Sequence, residues 1–321
     1  MSTANQATLI IALTTVIFPL VSGAGLSLVL NRLLVSEKSQ KTSSLIALVL
    51  SLLVSFVGIL SLGQLWGADA IRYLFWSPLL AGIFWQFVNR QWLFKCMPII
   101  LVAISTYMLS APLKGVWREG IDLALLNEFL VPAMALAVLG LQVNLKSMQQ
   151  SQAQPQTQIQ AELQTELQTE LQVVKPADFA ALALTFGFAA PVIGLSGSAS
   201  LAQLLAAFGL SVAGVGLMAL WKGFELSQAS YITAYFTLFC TLLYAHLYLS
   251  PALSPSLFCL LILAPSCTSL SFLWSLRPFK QTLVALALCL PLLLVALGLV
   301  ASKELNSQAN QQETDEFGAS Y

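Results

Sequence analysis

Ten runs of apolar residues follow one another along the chain with little polar sequence between them, each close to the roughly 20 residues a helix needs to cross a bilayer. They cover residues 8–30, 43–65, 71–89, 94–113, 121–141, 177–196, 199–221, 228–249, 252–274 and 281–302. Backbone placed in hydrocarbon must satisfy every N–H and C=O within itself, so runs of this kind become helices. The predicted fold class is therefore an all-α integral membrane protein of ten transmembrane helices. Composition agrees: only 9% of the residues are charged and 58% are hydrophobic, against about 25% charge in soluble domains. A soluble globule is excluded. The first run lacks a charged leader and a cleavage site, and reads as a retained span, not a signal peptide.

Lys and Arg in short loops stay preferentially on the cytoplasmic side. One side of a ten-span chain collects Arg32, Lys38, Lys41, Arg90, Lys95, Lys146, Lys175, Lys222, Arg277 and Lys280, while the other holds Arg72, Lys114, Arg118 and Lys303. This places both termini outside the cytoplasm and fits a bacterial inner membrane. The 14 basic and 14 acidic residues cancel, so nothing calls for a nucleic-acid partner; the lipid bilayer is the expected surrounding.

The chain divides into a first five-helix half (1–141), a cytoplasmic Gln/Glu-rich linker (142–176), a second half (177–302) and a polar tail (303–321) expected to be disordered and extracytoplasmic. In the linker, QAELQTELQTELQ repeats every four residues and sets Leu163, Leu167 and Leu171 on one helical face. A docking helix is one reading, and a flexible connector is preferred. An odd number of spans per half makes the second half enter the membrane in the opposite sense, the inverted-topology repeat of many secondary transporters.

Such repeats carry broken helices at corresponding positions. The fourth run of the first half, MPIILVAISTYMLSAPLKG, and the fourth of the second, SLFCLLILAPSCTSLSFLW, each join a proline to hydroxyl residues. A proline inside a helix removes one hydrogen bond and frees a carbonyl, and Ser105, Thr106, Ser110 and Pro112, with Pro265, Ser266, Cys267, Thr268 and Ser269, supply that chemistry. If the two interrupted helices cross, their half-helix N-termini offer N–H groups and partial positive charge to an anion. The plain alternative is a kink at each proline, as at Pro19, Pro78, Pro132, Pro191 and Pro291, with hydroxyls bonded to their own helix.

Ionisable groups inside spans are functional candidates. Glu128, beside Asn127 in the fifth run, is the candidate for proton coupling, with pairing to Arg118 or Lys114 at the outer interface as the alternative. Asp178 opens the sixth run, where an N-cap role is expected, and His246 stands among tyrosines as an interfacial residue. The five cysteines show no paired spacing, and no Walker loop, GxSxG or HExxH occurs. Neither an enzyme nor a metal or other cofactor is expected.

Several segments resemble the auxin efflux carrier family, which includes plant PIN proteins and bacterial malate and malonate permeases. LVLNRLLVSEKSQKTSSLIALVLSLL is similar to that family's first turn and second helix, STYMLSAPLKGVWREGIDLALL to its fourth-span signature, FGLSVAGVGLMALWKG to its seventh span and LLILAPSCTSLSFLW to its ninth. The resemblance implies that spans 4 and 9 cross at Pro112 and Pro265, that spans 1, 2, 6 and 7 form a dimerising scaffold, and that 3–5 and 8–10 move as an elevator. Ser105, Thr106, Pro112, Pro265, Ser266 and Thr268 would then bind a small organic anion such as a carboxylate. Ser105 stands where the family has an Asn, and the second span lacks the family's proline. A hydroxyl offers one donor where an amide offers two, so the substrate's identity stays open. The expectation is a homodimeric secondary transporter; the alternative is a non-transporting membrane scaffold that binds a partner through the linker.

Overall fold

The computed structural model describes residues 13–33, 37–60, 70–86, 91–110, 134–143, 173–195, 197–222, 226–248, 254–273 and 278–318. Among them the chain is almost entirely helical. A π-turn at Leu13–Ile17 leads into α1 (Phe18–Leu33), followed by α2 (Glu37–Ile59). A 3-10 turn at Ala70–Arg72 precedes α3 (Tyr73–Gln86), and α4 runs Gln91–Ser110. After α5 (Met134–Val143) come α6 (Pro176–Leu195), α7 (Ala199–Lys222), α8 (Gln228–Tyr248), α9 (Pro255–Leu263) and α10 (Pro278–Gly318). Two short strands, Val173–Val174 and Leu226–Ser227, pair antiparallel and tie the entry of α6 to the entry of α8.

Local signals explain the boundaries. Pro176 opens α6 and Pro255 opens α9, positions where the missing N–H costs nothing. Ser254 caps α9 by accepting from the Leu257 N–H at 3.4 Å. The α6–α7 turn passes through Gly197 at φ 101°, a left-handed conformation that a side chain would strain. Gly197 N–H bonds Gly194 O at 3.1 Å, and Ser198 then caps α7 through Leu201 N–H at 3.4 Å.

The main packing runs α10–α6–α7–α1–α2 on one side and α4–α3–α8 on the other, with α7 also on α2. Small residues set the α1–α7 distance. A Cβ added at Gly23 would stand 2.5 Å from the Ser211 carbonyl oxygen, and one at Gly214 would stand 2.6 Å from that of Leu20. Backbones this close exclude any larger residue and give the tight contact typical of helices in lipid. Buried hydroxyls reinforce it: Ser55 and Ser211 share a 2.8 Å hydrogen bond between α2 and α7.

Among the described residues, four helical stretches are long and apolar enough to cross a membrane: Thr42–Ile59, Pro176–Leu195, Ala199–Lys222 and Phe279–Lys303. Large apolar side chains also point outward, as at Leu283, Leu294, Val295 and Leu299 of α10. A water-soluble helix would carry polar residues on such a face; here it suits lipid. The protein is all-α and membrane-embedded. Helix α10 continues past this apolar stretch through the polar segment to Gly318.

α8 differs from its neighbours. From Gln228 to Leu243 every residue is buried, although this stretch contains Ser230, Tyr231, Thr233, Tyr235, Thr237 and Thr241. It reaches α3, α4, α2, α6, α7 and α9, which makes it the central post of the bundle. Its threonines neutralise themselves: Thr233, Thr237 and Thr241 each donate to the carbonyl four residues back at 2.9, 2.8 and 2.7 Å.

Candidate functional site

Two polar neighbourhoods flank α8, and together they contain the residues that the sequence singles out near its two prolines. The first joins α3, α4 and α8. Ser105 is 2% exposed and accepts from Ser77 Oγ at 2.5 Å, and Cys240 Sγ reaches Ser77 Oγ at 3.6 Å. Next to Ser105, Thr106 is 5% exposed and its Oγ1 has no hydrogen-bond partner among the described residues. That sets it apart from Thr185, Thr233, Thr237 and Thr241, which bond their own helices. A buried hydroxyl left without a partner costs about 1–3 kcal/mol, so its retention needs a reason. Through this stretch α4 is continuous, with Pro98 inside it. Tyr248 Oη fastens its far end by donating to Leu109 O at 2.9 Å.

The second neighbourhood is the break in α9. The α-helix ends at Leu263 and the chain continues as a 3-10 helix over Ala264–Leu273. Pro265 is the physical cause, because it has no N–H to return to the preceding turn. A 3-10 stretch of this length is uncommon and often marks a hinge. Other side chains occupy the carbonyls around the break. Tyr235 Oη of α8 lies within donating distance of Ile262 O at 3.4 Å and of Ala137 O in α5 at 3.2 Å. Cys289 Sγ of α10 donates to Ala264 O at 3.1 Å, and Thr268 Oγ1 to Pro265 O at 2.9 Å. Ser266 Oγ donates to Gly140 O of α5 at 3.3 Å.

The two groups therefore bond to different helices, Ser105 to α3 and Ser266 to α5. Their shared neighbour is α8, through Cys240 for the first and Tyr235 for the second. Five residues separate these contacts, a rise of about 7.5 Å and a turn of about 140° between their faces, so α8 stands between the two groups. Pro112, the proposed proline of the first break, and Glu128, the proposed coupling carboxyl, lie outside the described residues.

Sequence reasoning passed over Ser77, Cys240 and Tyr235, whose roles depend on partners far away in the chain. It also underread Asp178. This residue is the third of α6, and its backbone N–H bonds Lys175 O at 3.0 Å. Its carboxyl does not cap the helix: the residue is 1% exposed and neither oxygen makes a well-formed hydrogen bond among the described residues. The Thr268 hydroxyl lies near enough for a weak hydrogen bond to the carboxyl, and its better-formed bond is to Pro265 O at 2.9 Å. Lys175, just before the helix, also acts on the carboxyl; burial pushes the Lys175 ammonium below its ordinary value, and the Asp178 charge works in the opposite direction.

A wide groove of about 490 Å³ opens between α6, α7 and α10, lined by Ala180, Gly187, Gly209, Ala213 and their neighbours. Its lining is hydrocarbon apart from Thr282, which suits apolar chains better than an anion. No group of three His, Cys, Asp or Glu able to hold a metal occurs among the described residues. Compared with known protein families, characterised proteins and solved structures, the chain has no match.

Proposed function

We propose that the protein is a secondary active transporter that moves a small organic anion, such as a carboxylate, across the membrane by alternating access. The buried Thr106 hydroxyl carries this reading: it has no partner among the described residues, stands beside Ser105, and belongs to a helix whose counterpart in the second half is broken at Pro265. An unsatisfied donor in a dry site is available to a ligand at no cost in internal bonds. In this reading Ser105 and Thr106 present hydroxyls from one side of α8, and Pro265, Ser266 and Thr268 present the loosened backbone of α9 from the other. Pro112 would end the first arm as Pro265 ends the second.

The chain's ten apolar runs, its five-plus-five division and its resemblance to auxin efflux carriers support an inverted repeat with an elevator motion of spans 3–5 and 8–10 against a dimeric scaffold. The 3-10 segment fits that motion, since a hinge must exchange hydrogen bonds at low cost. Glu128 is retained as a coupling candidate.

Binding is testable without transport. A ligand that binds only the folded state stabilises it by about 2.7 kcal/mol at a hundredfold excess over Kd. Purified protein titrated with mono- and dicarboxylates should show a rising Tm for at least one of them, and Ser105→Ala should blunt the rise. An unchanged Tm across the panel, or equal shifts in the variant, would remove the site.

A further inference from the structure

Asp178 is the buried charge-bearing group that the account above leaves unused. Its carboxyl is 1% exposed, lies at the start of an apolar helix, and makes no well-formed hydrogen bond through either oxygen among the described residues. A carboxylate held this way costs several kcal/mol unless a counter-charge or a proton accompanies it. Position within a membrane helix makes such a group a functional candidate by default.

Its surroundings point to the proton as the ligand. Thr268 Oγ1 faces the carboxyl while giving its own proton to Pro265 O at 2.9 Å. The Thr268 hydroxyl can donate to a charged Asp178 or, with its proton directed to Pro265 O, accept from a neutral one. A metal cation would need several oxygen ligands, whereas the nearby charge is the Lys175 ammonium. The remaining titratable groups on the packed elements are few. Cys289 on α10 acts on Asp178 and on Cys267 of the 3-10 segment. From α8, Tyr231 sets its ring 6.2 Å from that of Phe179. Lys222 at the end of α7 is exposed over Trp221, and Lys280 at the start of α10 is exposed as well. The charged form has support too, from the N-terminal dipole of α6 and from Lys175. Both protonation states thus have partners, and the partner of the neutral one sits on the break of α9.

We propose that Asp178 is a proton-binding carboxyl whose loading is coupled, through Thr268, to the broken segment of α9. The proton comes from water on one side, rests on an Asp178 oxygen as a hydroxyl donating to Thr268, and leaves to water on the other side. The coupling rests on the transporter reading. An anion bound near Thr268 is repelled by a charged Asp178 and accepted beside a neutral one, so proton and anion would travel together.

Proton binding is tested on the full-length protein in detergent by dicyclohexylcarbodiimide, which attacks buried carboxyls in their protonated form, with peptide mapping by mass spectrometry. Asp178 should be labelled at low pH, and the label should fall about tenfold per pH unit on the alkaline side of its titration. Thr268→Val, which removes the hydroxyl, should move that profile. Absence of label at Asp178 over the whole range, or a profile unmoved in Thr268→Val, overturns the proposal. Coupling is tested in proteoliposomes, where a pH gradient should drive carboxylate accumulation in the wild type and fail to do so in Asp178→Asn. Carboxylate counterflow in the wild type without pH-driven accumulation would overturn the coupling and leave the carrier standing. Absence of counterflow with Asp178 still labelled would instead overturn the carrier reading and the coupling built on it.

Discussion

Replacing Thr106 with valine separates stability from function. The side chain keeps its volume and loses its hydroxyl, which is buried and has no partner among the described residues. Leaving such a group unsatisfied costs about 1–3 kcal/mol, so its removal should stabilise the fold by a comparable amount. The control is Thr237→Val on α8, where the hydroxyl donates to Thr233 O at 2.8 Å. Side-chain hydrogen bonds inside membrane proteins average about 0.6 kcal/mol, so the control should be slightly destabilised. Thermal unfolding in detergent should therefore move Tm upward by a few degrees for Thr106→Val and slightly downward for Thr237→Val. Transport should move the other way. If the Thr106 hydroxyl donates to a substrate carboxylate, its loss removes a bond of about 1.5–3 kcal/mol, a 10- to 100-fold weakening of apparent affinity. A Thr106→Val protein less stable than the wild type would mean that the hydroxyl has a structural partner. A stabilised variant with unchanged affinity would show that the hydroxyl is not the substrate's.

Three further outcomes follow from the packing. Gly23→Ala should lower Tm by about 5 °C, because its Cβ must gain about 0.9 Å from the Ser211 backbone and overpacking of this kind costs roughly 1–3 kcal/mol; Gly25→Ala, with nothing within 4 Å, should be neutral or slightly stabilising. Tyr235→Phe should cost about 0.5–1.5 kcal/mol in the same assay, the net worth of a hydroxyl that bonds α5 and α9. For Lys175, burial holds the folded-state ammonium below the ordinary 10.5. The unfolded chain therefore binds more protons just below that value, and stability rises with pH in that window. Lys175→Met should flatten that slope in denaturation at graded pH.

The break in α9 is legible in the sequence because it is a local event: Pro265 cannot return a hydrogen bond, and its hydroxyl neighbours take up the strain. The helical class is equally legible, since apolar runs of this length permit little else. The centrality of α8 is not. Its run resembles the others in length, and only packing reveals that Tyr231, Tyr235 and its threonines face protein on every side. Local reading also failed at Asp178. An acidic residue in a first helical turn suggests a cap, and what converts it into a buried, unpartnered carboxyl is the approach of α9 and α10 from more than eighty residues away. Ser77 and Cys240 escape notice for the same reason, because their meaning lies in partners on other helices, Ser105 for Ser77 and Ser77 for Cys240.

The most direct test of the carrier account is flux: uptake and exchange of labelled mono- and dicarboxylates in proteoliposomes, with wild type and Ser105→Ala compared at equal protein density. The account predicts saturable, exchangeable uptake of at least one carboxylate that falls in the variant while its Tm holds. Absence of uptake under every imposed pH or sodium gradient, with a known carrier working in parallel, would contradict it, as would flux equal in the two proteins.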